Sequence, residues 1–166
     1  MILKMAAMNK IIFISTTKQE MNCFANDQLV FSYQVSTGKK GVGETKNSEC
    51  TPRGWHRIYS ILGLEHEVNS VLVGRKWTGE LYTEHLASQF PERDWILTRI
   101  FQLDGLEPGR NKGGNVDTLE RYIYIHGTPD STQLGIPGSH GCIRMNNMEI
   151  IDLATWVTSD TLVYIQ

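Results

Sequence analysis

The sequence predicts a mainly β fold, a sandwich-like or barrel-like arrangement of strands with one clear helix near the C-terminus. Three observations predict it. Short segments of alternating apolar and polar residues recur along the chain, turns rich in glycine and proline separate them, and only one segment has the apolar period of a helix. The 166 residues can bury one core and contain no internal repeat, so we expect a single domain over residues 1–166.

In the first third of the chain, the pattern is typical of strands joined by turns. Residues 10–16 are an apolar, β-branched run, and residues 28–36 alternate with period two, as a half-buried strand does. Residues 22–27 between them are turn-like, so we expect a hairpin. The glycine-rich segment 38–43 lacks the residue order of a phosphate-binding loop, and we interpret it as an ordinary loop.

The middle of the chain begins at a predicted turn, residues 51–54, and alternates less clearly. Its predicted elements are a strand at 55–62, a short strand at 71–73, a short helix within 81–89, a strand at 95–103 and a polar loop at 106–117. Loops of this last length are often functional in compact domains.

The last third has the clearest pattern. Its predicted elements are a strand at 121–125, a loop rich in proline, glycine and serine at 128–139, a helix at 146–157 and a closing strand at 161–165. The helix has one apolar face, and Asn146 with Glu149 three residues later resembles a capping box at its start.

Composition and charge are those of an ordinary globular protein: 40% of residues are hydrophobic and 20% are charged. The net charge of −2 argues against a large nucleic-acid interface, which needs a basic excess. No run approaches the roughly 20 apolar residues that cross a bilayer. The apolar segment at residues 1–8 is too short for a signal peptide, so we see no export signal, and a cytoplasmic location stays open.

Three cysteines, Cys23, Cys50 and Cys142, leave at least one unpaired in the monomer. Their spacing fits no zinc knuckle. We interpret Cys23 and Cys50 as small apolar residues, with a Cys23–Cys50 disulfide as an open alternative.

Cys142 differs from the other two because histidines lie close to it in the sequence. A thiol near neutral pH is mostly protonated, so a nucleophilic cysteine needs a base or a positive field. His140 would leave an extended segment on the same face as Cys142, side by side with it, which suits proton transfer poorly. His126 ends a predicted strand, and a neighbouring strand would place it about 5 Å away. We therefore predict Cys142 as the nucleophile and His126 as its base.

Two neighbours of Cys142 have their own physical interpretation. Gly141 lets the backbone approach a substrate carbonyl, and the N–H groups of Gly141 and Cys142 could stabilise an oxyanion. Arg144 is a planar donor that suits a carboxylate. Binding a substrate and forming a structural ion pair remain equally open interpretations of Arg144.

Residues 126–128, His-Gly-Thr, and residues 135–145, Gly-Ile-Pro-Gly-Ser-His-Gly-Cys-Ile-Arg-Met, resemble the signature of the L,D-transpeptidase catalytic domain, the YkuD family. That signature is a histidine, a loop, and then [Ser/Thr]-His-Gly-Cys-[aliphatic]-[Arg/Asn]. Residues 35–38 and 51–54 also resemble the family's "VSTG" and "TPxG" turns. The resemblance covers most of the chain and is weakest over residues 65–115.

The resemblance implies a β-rich sandwich and an acyltransferase of the peptidoglycan cell wall. The Cys142 thiolate would attack the L-centre carbonyl of the third residue of a stem tetrapeptide, D-Ala would leave, and a thioester would remain. An amine acceptor, such as a second stem peptide, a lipoprotein lysine or a D-amino acid, would resolve the thioester. The family also implies inactivation by carbapenems, a periplasmic or cell-envelope location and no cofactor.

The resemblance further assigns roles by position. It makes His126 the base, oriented by the backbone carbonyl of Gly127. It places Arg144 near the substrate. It also implies that three residues shape the site: Ser139, His140 and Gly141.

Three alternatives remain at this stage. With water as the acceptor, the enzyme would be an L,D-carboxypeptidase acting on stem peptides or soluble muropeptides. A zinc site formed by His126, His140 and Cys142 would give a different chemistry. A non-catalytic wall-binding module would keep the fold without the reaction. The sequence does not indicate an oligomeric state.

Overall fold

A computed structural model describes residues 8–166. Most of the apolar N-terminal segment, interpreted above as too short for a leader, lies outside the described residues. The described part holds ten strands, two α-helices and one 3-10 helix. Their bounds are β1 Lys10–Ser15, β2 Glu20–Ala25, β3 Gln28–Gln34, β4 Gly54–Leu62, β5 Ser70–Val73, β6 Lys76–Leu81, α1 Glu84–Gln89, β7 Ile96–Gly105, the 3-10 helix Gly114–Val116, β8 Tyr124–Gly127, β9 Ile143–Met145, α2 Asn147–Trp156 and β10 Leu162–Ile165.

The strands form a mixed sheet in the order β3-β2-β1-β10-β4-β7-β5-β6, with β8 paired to β7 and β9 paired to β8. The last strand, β10, lies parallel to β1 and antiparallel to β4, so both ends of the described chain meet in the middle of the sheet. β8 runs antiparallel to β7, whereas β9 runs parallel to β8. These two short pairings bring the segments around His126 and Cys142 side by side.

The core follows from the alternation along the strands. Its fully buried members come mainly from β1, β2, β4, β7, β8, β9, β10 and α2 and include Ile12, Ile14, Met21, Cys23, Ile58, Phe101, Leu103, Ile125, Ile143, Met145, Ile150, Leu153, Val163 and Ile165. Burying one such side chain contributes roughly 1.5–3 kcal/mol. Helix α2 buries Ile150 and Leu153, and the Asn146 side chain caps it by accepting hydrogen bonds from the N–H groups of Met148 and Glu149.

The predicted mainly β class with one helix near the C-terminus is confirmed. The predicted strands at 28–36, 55–62, 71–73, 95–103 and 161–165 correspond to β3, β4, β5, β7 and β10, and both predicted helices are present. Among residues 8–166, no helix has the length and apolar character needed to cross a membrane.

Two local predictions are wrong. Residues 22–27 were expected to be a turn, but most of them belong to β2, whose Met21 and Cys23 are buried. The real turn is Asn26-Asp27, where both residues have positive φ, as in the tight turn that joins antiparallel strands. The strand expected at 121–125 begins only at Tyr124, because the chain turns at Tyr122, whose φ is 56°.

Candidate active site

The pairing of β8 with β9 assembles the site. In its register Ile125 lies opposite Ile143, and His126 lies opposite Arg144. Ile125 and Ile143 are fully buried in the core. Because side chains alternate along a strand, His126, Arg144 and the neighbouring Cys142 lie on the other face. The structure therefore brings the predicted nucleophile and the predicted base to one face of two adjacent strands.

His126 is held in one orientation by its own backbone neighbour. Its ring is buried, and Nδ1 lies 2.6 Å from the carbonyl oxygen of Gly127. A carbonyl only accepts, so Nδ1 carries the proton and Nε2 is left with a free lone pair. Burial lowers the pKa of His126, which the Gly127 carbonyl partly opposes. The ring is therefore neutral near pH 7 and can accept a proton at Nε2.

Gly127 occupies its position because no side chain fits there. A Cβ atom at this residue would lie 2.4 Å from the Oδ1 of Asn147 and 2.6 Å from the carbonyl oxygen of Leu97. The Gly127 carbonyl lies where the resemblance implied, on the His126 ring. Two independent constraints, close packing and hydrogen bonding, thus fix the carbonyl that orients the imidazole.

The thiol of Cys142 is half-buried and faces the chain before β8. Its Sγ lies 3.4 Å from the carbonyl oxygen of Tyr122, to which the thiol donates, and it accepts from the N–H of Tyr124 at 3.3 Å. Burial raises the pKa of Cys142 to about 12; the Tyr124 N–H opposes the rise and nearby Asp94 adds to it. Both hydrogen bonds recorded for Sγ within residues 8–166 are with backbone, and neither involves His126. The resting pair is thus a neutral thiol and a neutral imidazole.

Ser139 makes two hydrogen bonds within the loop before Cys142. Its Oγ donates to the carbonyl oxygen of Cys142 at 2.5 Å and accepts from the N–H of Gly141 at 3.1 Å. The N–H of Gly141 is therefore engaged, and this conformation does not support Gly141 as an oxyanion donor. Gly141 is still sterically required, because its φ is 120° and a Cβ would lie 3.0 Å from the carbonyl oxygen of Cys50.

Thr51, in the turn at residues 51–54, was not predicted as a site residue. Its Oγ1 donates to the carbonyl oxygen of Gly141 at 2.9 Å and accepts from the N–H of Gly38 at 2.8 Å. Thr51 is fully buried. One hydroxyl thus connects the glycine-rich loop to the loop that carries Cys142, and the signal in the sequence was the "TPxG" turn.

Arg144 forms an ion pair with Asp94, a residue that the sequence did not single out. Its Nη2 lies 3.0 Å from Asp94 Oδ1, and its Nη1 donates to the carbonyl oxygen of Gly138 at 3.1 Å. Asp94 also lies 3.9 Å from Nδ1 of His140, whose side chain is 66% exposed. His140 therefore faces solvent near the site rather than holding the nucleophile. Of the two interpretations of Arg144, the ion pair is present in this structure.

Arg121 holds the loop around Cys50. It donates to the carbonyl oxygen of Cys50 at 2.8 Å and to that of Gly43 at 3.4 Å. Burial lowers the pKa of Arg121, and the proximity of Cys50 and Cys142 opposes this. Next to it a cavity of about 230 Å³ opens, lined by residues that include Lys46, Asn47, Glu49, Tyr122 and His140.

Two alternatives that the sequence left open do not agree with the structure. Cys23 is buried in β2, Cys50 lies in a loop and all three cysteines are free, so the structure does not contain the Cys23–Cys50 disulfide. In the part of the chain described, no three His, Cys, Asp or Glu side chains cluster in a way that could hold a metal ion. The arrangement of His126, His140 and Cys142 therefore does not support the zinc alternative.

The sequence matches the YkuD family model, described as L,D-transpeptidase catalytic domain, over residues 9–165. No curated protein sequence matches the chain significantly.

Several solved structures are similar in fold. An L,D-transpeptidase from Xylanimonas cellulosilytica has a TM-score of 0.54 at 18% identity, covering 98% of this chain and 62% of that one. One from Mycobacterium smegmatis has a TM-score of 0.60 at 17% identity, with coverages of 96% and 59%. A mutant of the Enterococcus faecium enzyme has a TM-score of 0.58 at 16% identity, with coverages of 95% and 50%. The present chain thus spans between half and two thirds of these structures, and the likeness extends to the fold.

Proposed function

Because the family model covers residues 9–165, the chain belongs to the YkuD family of L,D-transpeptidase catalytic domains, and we propose that it is a peptidoglycan L,D-transpeptidase acting through a thioester on Cys142. The observation that carries the proposal is the 2.6 Å contact between His126 Nδ1 and the Gly127 carbonyl, which leaves Nε2 free on the face that bears Cys142. A fixed, neutral imidazole next to a cysteine is the arrangement that nucleophilic catalysis requires.

The first step starts from the neutral pair. When a stem tetrapeptide ending in D-Ala binds, the Cys142 side chain rotates away from the Tyr122 carbonyl and transfers its proton to Nε2 of His126. The thiolate then attacks the L-centre carbonyl of the third residue, forming a C–S bond and an oxyanion. Because the Gly141 N–H is engaged by Ser139, the N–H of Cys142 is the proposed backbone donor to that oxyanion.

The second step releases D-Ala and resolves the acyl-enzyme. As the C–N bond breaks, protonated His126 donates its proton to the departing amine, and a thioester remains on Cys142. An acceptor amine, from a second stem peptide, a lipoprotein lysine or a D-amino acid, then attacks the thioester and gives its proton to His126. The new amide forms and the C–S bond breaks, which releases the Cys142 thiolate. Protonated His126 then returns its proton to this thiolate, and the enzyme is regenerated. Water in place of the amine would give L,D-carboxypeptidase activity.

The groups around the pair have supporting roles in this proposal. Ser139 fixes the loop that presents Cys142, and Thr51 fixes Gly141 from the opposite side. At rest Arg144 pairs with the carboxylate of Asp94. When substrate binds, Arg144 releases Asp94 and binds a carboxylate of the substrate instead. The substrate implies that the reaction takes place in the cell envelope.

The test is to incubate the protein with a purified stem tetrapeptide, with and without a D-amino acid acceptor, and to identify the products by mass spectrometry. We expect release of D-Ala, a new amide with the acceptor and an acyl adduct on Cys142 when acceptor is withheld. A carbapenem should form an adduct on the same residue. Cys142→Ala should do none of this, and its circular dichroism spectrum should match that of the wild type. Tripeptide as the sole product would identify a carboxypeptidase, and no adduct on the wild type would favour a wall-binding module.

A further inference from the structure

The hairpin formed by β5 and β6 places an arginine in an unusual backbone conformation. Val73 pairs with Lys76, so Gly74 and Arg75 alone form the turn. Both residues have positive φ, 55° and 66°. This turn type favours glycine and asparagine, because a longer side chain crowds the following carbonyl in the left-handed conformation. Arg75 thus adopts a backbone conformation that is unfavourable for its residue type, and strained positions of this kind cluster at functional sites.

The Arg75 side chain is fixed over the residues that hold the nucleophile. Its guanidinium lies 4.6 Å from the centre of the Tyr122 ring, and Nη1 donates to the Tyr124 hydroxyl at 3.1 Å. The same two tyrosines contact the Cys142 thiol through their backbone. Arg75 has no carboxylate partner within residues 8–166. A preorganised, unpaired guanidinium is therefore available next to the reacting sulfur.

A cavity of about 380 Å³ extends away from Arg75 between this hairpin and the end of β4. Leu62 and Leu72 line it. Leu72 belongs to an apolar cluster against which both Leu62 and Cys142 pack. The cavity and the nucleophile therefore share one apolar cluster.

The rim of this cavity is cationic on one side and aromatic on the other. Lys76 and Arg75 contribute the positive charges. Trp77 stacks on His66 with ring centres 4.6 Å apart. The carboxylate on the rim, Glu65, is largely exposed and lies 3.2 Å from Nε2 of His66. A bound carboxylate would meet two cations and one carboxylate.

We propose that the β5–β6 hairpin forms a substrate subsite. In it, Arg75 binds a carboxylate of the substrate peptide, and the cavity next to Arg75 receives an apolar part of the same peptide. The proposal deepens the proposed function, because it rests on Cys142 as the reacting group and names the chemistry recognised next to it. Arg75 stays stacked on Tyr122 and offers its remaining N–H groups as a fork, the geometry that carboxylates accept.

The first test measures charge preference at Cys142 without the natural substrate. The probes are N-iodoacetylglycine and N-iodoacetylglycinamide, which differ only in a terminal carboxylate, and alkylation of the Cys142 peptide is followed by mass spectrometry. The quantity compared is the rate with the acid probe divided by the rate with the amide probe. In this ratio any change in the reactivity of the thiol itself cancels. We expect Arg75→Asn, which suits the turn and removes the cation, to lower the ratio about fivefold, the size of a screened ion pair. Arg75→Lys should recover part of the ratio.

The matched control is Lys18→Asn, which removes one exposed positive charge in the turn between β1 and β2, outside the cavity. It should leave the ratio within experimental error of the wild type. An unchanged ratio in Arg75→Asn, or an equal fall in Lys18→Asn, would overturn the subsite.

The second test repeats the comparison with stem tetrapeptides whose side carboxylates are free or amidated. The wild type should prefer the free acid in kcat/KM, and Arg75→Asn should lose that preference. If the wild type turns over neither peptide while the alkylation ratio still depends on Arg75, the proposed reaction fails and the subsite stands. If both peptides are turned over with the same preference in wild type and Arg75→Asn, the reaction stands and the subsite fails.

Discussion

The two strands that carry the reacting groups and the hairpin and loops that surround them are built by different interactions. His126 is held by strand pairing and a backbone carbonyl, and it is buried. Asp94, His140 and Arg75 lie on partly or largely exposed segments and are held by side chains. Backbone hydrogen bonds in a packed sheet fix positions more tightly than exposed ion pairs, which contribute little stability. The first region therefore suits chemistry, and the second suits recognition that adapts to its ligand.

The sharpest test of this difference compares the two histidines near Cys142. His126→Ala removes the imidazole whose Nε2 is free on the strand face, so acylation by a stem tetrapeptide should slow by roughly 10²–10⁴-fold. His140→Gln changes an exposed side chain and should slow acylation less than about tenfold, in keeping with a peripheral role. Rapid-quench mass spectrometry of the Cys142 adduct measures both. Equal losses in the two variants would show that the base is wrongly assigned.

The ionisation of Cys142 distinguishes a neutral pair from a preformed ion pair. Burial raises the pKa of Cys142 to about 12, and burial lowers the pKa of His126. The thiolate absorbance of the wild type minus that of Cys142→Ala should therefore show no step between about pH 4 and pH 9. Because the unfolded thiol ionises near pH 8.5, this group stabilises the fold below that pH and loses its contribution as the pH rises towards 12. A thiolate step below pH 7 would contradict the neutral pair.

The packing at Gly127 should matter for both stability and chemistry. In Gly127→Ala the new methyl group would meet Asn147 Oδ1 and the Leu97 carbonyl well inside van der Waals contact. We expect a loss of about 1–3 kcal/mol in the free energy of unfolding, measured with denaturant, and slower acylation because the carbonyl on His126 shifts. Gly138→Ala is the matched control, since its nearest atoms are side-chain atoms at 3.2 Å or more. If both variants are equally stable, the tight fit at Gly127 is not what fixes the carbonyl.

The elements that could be predicted from the sequence are those with a strong local pattern. The alternation in β3 and β10 and the capped apolar face of α2 depend on neighbours in sequence, so they can be predicted without the fold. β6 was missed because most of its residues are exposed and carry no apolar alternation. β2 was wrongly predicted as a turn because the asparagines at positions 22 and 26 resemble turn residues, although Met21 and Cys23, on either side of Asn22, are both buried.

The site residues also divide into those that a local sequence pattern predicts and those that only the fold brings together. Cys142 and His126 belong to one short sequence motif. The loop between them is long enough to return the chain, so their proximity on two neighbouring strands could be predicted from the sequence. Asp94 lies 50 residues before its partner Arg144, and Arg75 meets Tyr124 across the sheet. Such contacts depend on the complete fold, and no local sequence pattern predicts them. The engagement of the Gly141 N–H by Ser139 was equally invisible, because it depends on one hydroxyl rotamer.

The smallest expected effect concerns the ion pair of Asp94 with Arg144. Asp94 is substantially exposed, so Asp94→Asn should change the free energy of unfolding by less than about 1 kcal/mol. If Arg144 exchanges Asp94 for a substrate carboxylate, the same variant should lower KM for a stem tetrapeptide with kcat little changed, because the competing acid is gone. Arg144→Gln should raise KM instead. If both variants instead lose about 2 kcal/mol or more of stability with unchanged KM, the pair is structural, and recognition of the carboxylate rests on other cations such as Arg75.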